Sequence, residues 1–77
     1  MNIDIGSKIK TLRLSKSMTQ EQLAKALHVS AQAVSKWENG KSYPDIHSLL
    51  LLSALFDVSL DQLIKGDLET MKQEVNA

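Results

Sequence analysis

Thr19-Gln20-Glu21-Gln22-Leu23-Ala24-Lys25-Ala26-Leu27-His28-Val29-Ser30-Ala31-Gln32-Ala33-Val34-Ser35-Lys36-Trp37-Glu38-Asn39-Gly40 is the stretch on which the fold turns. Thr19 and Gln22 have capping-box spacing: the threonine hydroxyl receives the amide three residues on, and the glutamine reaches back to the cap. A helix therefore opens at Thr19 and buries Leu23, Ala24 and Leu27. Only His28 and Val29 separate Leu27 from the next capping residue, Ser30, so two helices meet at a sharp corner. One residue there must turn left-handed, and His28 is the candidate, since histidine is among the non-glycine residues enriched at positive φ. Val29 then packs inward. The helix after the corner, helix three of the chain, runs from Ala31 to about Asn39 and stops at Gly40, the residue type favoured just past a helix end.

Working outward, apolar residues recur at helical spacing and no stretch alternates with period two, which predicts an all-α chain. A first helix should start near Asn2 or Asp4 and run to about Ser15, burying Ile5, Ile9 and Leu12, with Gly6 weakening its first turns. Pro44-Asp45 starts a fourth helix that extends through Phe56, and the Ser59–Gln62 capping box opens a short fifth helix ending at Gly66. Residues 67–77 are polar, with thin periodicity at Leu68, Met71 and Val75, and read as a frayed helix or the start of a truncated region. The division is a helical domain over 1–66 and a C-terminal extension over 67–77.

A chain of 77 residues holds one small core and no second domain. It has no cysteine, so disulfides, thiolate nucleophiles and zinc ribbons are excluded, which is consistent with a cytoplasmic location. Its N-terminus lacks a signal peptide's basic and apolar regions, and the longest apolar run, Leu49 to Leu52, is far shorter than a bilayer span. No membrane partner is expected. Net charge is zero, but residues 1–41 carry +4 and residues 42–77 carry −4. Such a dipolar molecule can present its basic half to an anionic polymer.

Helix three divides into two faces. Val34, Trp37 and the stem of Glu38 lie on one, Gln32, Ser35 and Lys36 on the other, and Ala31 and Ala33 flank them. The outer face carries an amide, a lysine, a hydroxyl and small alanines, side chains suited to base edges and phosphates. A plain solvated helix can carry the same residues. Trp37, with Leu23 and Val34, reads as core and not as a stacking platform for bases.

Taken together, the stretch 19–40, Pro44-Asp45-Ile46 and Phe56-Asp57-Val58-Ser59 resemble the XRE family, the lambda-repressor and Cro-like helix-turn-helix, over roughly residues 5 to 65. The resemblance implies a five-helix bundle with its helix-turn-helix at about 20–39. It also implies sequence-specific binding of double-stranded DNA, commonly an inverted-repeat operator, by a homodimeric transcription regulator, in the first instance a repressor. Carried onto this chain, Gln32, Ala31, Ala33 and Lys36 are the expected base contacts. Gln32 leads, with an amide suited to adenine, and Lys36 reaches guanine or phosphate. Gln20 and Thr19 at the start of helix two, and Ser30, Ser35, Asn39, Lys41 and Ser42, are the expected backbone contacts. Family members often have a longer polar residue where Ala31 stands, so that base pair should rely on methyl contact or DNA shape. Arg13, the only arginine, stands where the family pairs an arginine with a glutamate, here Glu38.

Helix four is apolar nearly all round. Ile46, Leu49, Leu52, Ser53 and Phe56 share an arc that suffices for the core, which leaves Leu51 and Leu55 opposite, with Leu50 and Ala54 between. The surplus implies either a twofold dimer contact through Leu51 and Leu55 or a cover formed by 67–77. Other chemistry finds little support. His28 and His47 lack metal-ligand spacing, Asp57, Asp61 and Asp67 lack that of a calcium loop, and a five-helix chain of this size offers no substrate cleft. No enzyme activity, cofactor, metal or small-molecule substrate is expected. The competing functional class is a protein-interaction or antitoxin-like module that keeps the helices as a scaffold.

Overall fold

The computed structural model describes residues 4–64. Four helices follow in order, α1 (Ile5–Ser15), α2 (Gln20–Leu27), α3 (Ala31–Glu38) and α4 (Ile46–Phe56), and residues 60–64 open a fifth, α5. Among the described residues there is no strand. The expected stop at Gly66 and the extension over 67–77 lie outside the described residues.

Each helix opens on a side-chain cap: Asp4, Thr19, Ser30 and Asp45 accept the amides of Ser7, Gln22, Ala33 and Ser48. Both capping boxes are formed, Thr19 with Gln22 and Ser59 with Gln62, through backbone-to-side-chain hydrogen bonds of 2.8–3.0 Å. All four helices also close alike, on a left-handed residue whose successor donates back to the last turn. Those residues are Ser17, His28, Gly40 and Asp57, with φ between 54° and 73°. At the corner after α2, His28 has φ 60°, and the amides of His28 and Val29 donate to the carbonyls of Lys25 and Ala24. Three residues thus suffice to turn α2 into α3.

The core joins Ile5 and Ile9 of α1, Leu23, Ala24 and Leu27 of α2, Val34 and Trp37 of α3, Leu52 and Phe56 of α4, and Leu63 of α5. Val29 packs against it as a half-buried neighbour. In α1 the buried stripe runs Ile5, Ile9, Arg13, while Leu12 is only half-buried, because a spacing of four keeps successive side chains on one face. Gly6 is a contact point. A Cβ there would lie 2.2 Å from the Trp37 carbonyl oxygen, so the start of α1 rests directly on the end of α3.

Helix α4 departs from the expected arc at its first residue. Ile46 is 64% exposed, whereas Ser48 is buried. The cap decides this: the Asp45 carboxylate accepts the Ser48 amide at 2.8 Å and fixes the first turn with Ser48, Leu52 and Phe56 inward. Ile46, Leu50 and Ala54 then fall on the far side, and all three are exposed. Leu51 and Leu55, expected opposite the core, instead lie about 100° and 60° round from Leu52 at 3.6 residues per turn and are half-buried against it.

Candidate nucleic-acid interface

The two sides of α3 differ in burial. Val34 and Trp37 are buried, Gln32 and Lys36 are exposed, and Ser35 is half-buried, its hydroxyl accepting from the Asn39 amide at 3.3 Å. Ala31 and Ala33 are half-buried against the core, so only part of each methyl faces outward. The outward side of α3 carries no acidic residue. Beyond the left-handed Gly40, Lys41 is exposed and tied to α3 by its amide, which donates to the Lys36 carbonyl at 2.8 Å; Ser42 is half-buried. The structure therefore brings Gln32, Lys36, Asn39 and Lys41 to the exposed surface of α3 and its closing turn.

The start of α2 joins this surface through a buried charge. Glu38 and Arg13 keep only 3% and 10% of their side chains exposed. Arg13 grips the carboxylate with two prongs, Nε to Oε2 at 2.8 Å and Nη2 to Oε1 at 3.1 Å, and its Nη1 donates to the Met18 carbonyl at 2.7 Å. Oε1 accepts a further hydrogen bond, from Gln20 Nε2 at 3.1 Å. One carboxylate thus ties α1, the first residue of α2 and the last residue of α3. Burial pushes the Glu38 carboxyl up, but hydrogen bonds from Arg13 and Gln20, with the charges of Arg13 and Lys10, hold it below its usual value. The same hydrogen bond to Glu38 holds the Arg13 guanidinium above its usual value.

Two features of this surface go beyond the residues that the sequence singles out. The Gln20–Glu38 bond spans 18 residues, and no local pattern announces it. Tyr43, 64% exposed between half-buried Ser42 and buried Pro44, is a large aromatic on a short, anchored turn beside Lys41. Its sequence signal is an aromatic inside an otherwise polar turn immediately after α3. Among the described residues no cluster of histidine or acidic side chains is arranged to hold a metal ion, and no helix is long and apolar enough to cross a membrane.

A helix closed by a three-residue corner onto a second helix with a polar outer side, braced by the surrounding helices, defines the helix-turn-helix class. The chain belongs to the helix-turn-helix family HTH_3, which it matches over residues 9–63, the XRE or lambda-repressor-like group. It is 46% identical over 65 residues to the HTH-type transcriptional activator BcrR of Enterococcus faecalis, a match covering 84% of this chain and 32% of that protein. Among solved structures it resembles the P22 c2 repressor in complex with a synthetic operator, with TM-score 0.77 and 33% identity over 86% of this chain and 98% of that one. It also resembles SinR of Bacillus subtilis in complex with DNA, with TM-score 0.68 and 35% identity over 77% of this chain and 95% of that one. The chain spans about a third to somewhat over half of the length of the curated relatives it matches.

Proposed function

We propose that residues 1–66 form the duplex-DNA-binding domain of a transcription regulator that acts by occupying an operator, without chemistry of its own, in the cytoplasm. The observation that carries this reading is the division of α3: Val34 and Trp37 hold the fold, while Gln32 and Lys36 stand in solvent with no structural duty. The likeness to two proteins solved with DNA supports it. In this reading α3 enters the major groove. Gln32 is the leading base contact, Lys36 reaches guanine or phosphate, and the partly covered Ala31 and Ala33 contribute methyl contact. Gln20 and Thr19 at the positive end of α2 hold one phosphate. Ser30, Ser35, Asn39, Lys41 and Ser42 set the register along the backbone. Repression follows from occupancy alone.

A twofold homodimer would set two recognition helices about one DNA turn apart on an inverted repeat. Leu51 and Leu55, half-buried beside exposed Leu50, supply its contact in this reading. The test is selection of a random duplex pool by the purified chain at moderate salt, followed by sequencing. An enriched inverted repeat supports the dimeric reading, and an enriched single half-site supports DNA binding while refuting the dimer. No enrichment by a chain of intact helicity refutes operator binding and favours a protein-interaction module.

A further inference from the structure

The Arg13–Glu38 pair carries more donors than an ion pair needs. With its side chain 3% exposed, Glu38 must have its oxygens satisfied from within the protein, and Arg13 alone supplies two hydrogen bonds. The third comes from Gln20, the first residue of α2. A carboxylate only accepts, so this bond fixes which end of the Gln20 amide faces inward: Nε2 is held at Glu38, with one of its two protons engaged and the other free. Gln20 is half-buried at the first position of α2.

The geometry points to Glu38 as the positioning residue for Gln20, holding its amide so that the free N–H is aimed at a DNA phosphate before DNA arrives. The inference rests on the DNA-binding reading above and goes beyond it by giving the ion pair a role in binding. Fixing a glutamine side chain costs rotamer freedom, and here that cost falls on folding and not on association. Arg13 makes the arrangement tolerable, since its charge offsets that of Glu38 where a phosphate approaches. The clamp is indifferent to base sequence, because a phosphate contact carries none.

A double-mutant cycle on a mixed-sequence DNA duplex at low salt tests this with the full 77-residue chain. In the parent, Gln20→Ala should weaken binding about tenfold, the scale of one hydrogen bond to a charged group. In an Arg13→Met, Glu38→Leu background, which removes the acceptor and leaves an apolar pair in its place, Gln20→Ala should cost about twofold or less. Equal losses in the two backgrounds would overturn the inference while leaving DNA binding intact. A second measurement needs no folded variant of the pair. In the parent, the side-chain amide of Gln20 should be ordered on the nanosecond scale by NMR, and that of Gln32 mobile; a Gln20 amide as mobile as that of Gln32 would overturn the inference. A parent chain with no salt-sensitive duplex binding would overturn the functional reading and this inference with it.

Discussion

Replacing Arg13 with alanine removes three hydrogen bonds at once and leaves Glu38, almost fully enclosed, with a single donor from Gln20. Stranding a buried charge costs about 3–5 kcal/mol. The lower figure applies here, since Gln20 still donates and water can enter the space the arginine vacates. In a domain of this size 1 kcal/mol moves the midpoint of melting by about 4–8 °C, so about 3 kcal/mol corresponds to roughly 12–24 °C. The control is Lys16→Ala at an exposed neighbouring position, where a surface substitution stays within about 0.5 kcal/mol. Thermal denaturation followed by circular dichroism reads both variants.

The pH dependence supplies an independent check. In the parent the Glu38 carboxyl is held below its usual value. Its contribution is therefore complete above the unfolded-state value of about 4.3 and is lost as pH falls through the folded-state value. In Arg13→Ala, burial of Glu38 is opposed by the Gln20 hydrogen bond and the Lys10 charge without those of Arg13, so its carboxyl should rise relative to the parent. The variant is therefore penalised most at neutral pH and relieved by protonation, and the gap in melting temperature should narrow from about pH 7 to about pH 4. Equal melting of Arg13→Ala and Lys16→Ala at neutral pH would refute the energetic role of the pair, and a gap that widens toward acid would refute the assignment of the penalty to Glu38.

Gly6→Ala should destabilise by about 1–3 kcal/mol, because the new methyl meets the Trp37 carbonyl oxygen and forces α1 off the end of α3; a raised melting temperature, the usual result in a helix interior, would show that the two helices separate freely. His28→Val should cost about 1–2 kcal/mol, since a branched side chain tolerates φ 60° poorly, while His28→Gly should stay within about 0.5 kcal/mol of the parent; similar melting of the two variants would argue against a rigid corner. Gln32→Ala should relax preference at one base position in the selected pool with the fold unchanged, and an unaltered preference would remove Gln32 from the reading surface. Leu51→Lys should turn a sedimenting dimer into a monomer; a monomer in both parent and variant ends the dimer proposal.

The sequence announced most where a short rule operates within a few residues. The Thr19–Gln22 and Ser59–Gln62 boxes, the left-handed His28 and the stop at Gly40 are decided by neighbours in the chain, and each is present in the fold. Helix α4 was the opposite case. Its apolar residues occupy almost every direction, so periodicity carried little information about which side turns inward, and the Asp45 cap made the choice against Ile46. Gly6 announced a weak helix start when its role is a close crossing with a carbonyl 31 residues away. The candidate site divides on the same line. The faces of α3 follow from helical spacing alone, whereas the link from Gln20 to Glu38 depends on how α2 and α3 are packed, which no spacing within either helix specifies.

In the proposed DNA-binding reading, the outward side chains of α3 are a replaceable label on a mount set by the three-residue corner after α2. On that reading Gln32 and Lys36, both exposed, can be exchanged one at a time without touching buried Val34 or Trp37. Insertion of a single residue between Leu27 and Ala31 has the reverse effect. It would rotate the whole label away from its target while sparing every residue on it. Drift on the outward side of α3 should therefore be free in sequence, and the corner before it closed in length.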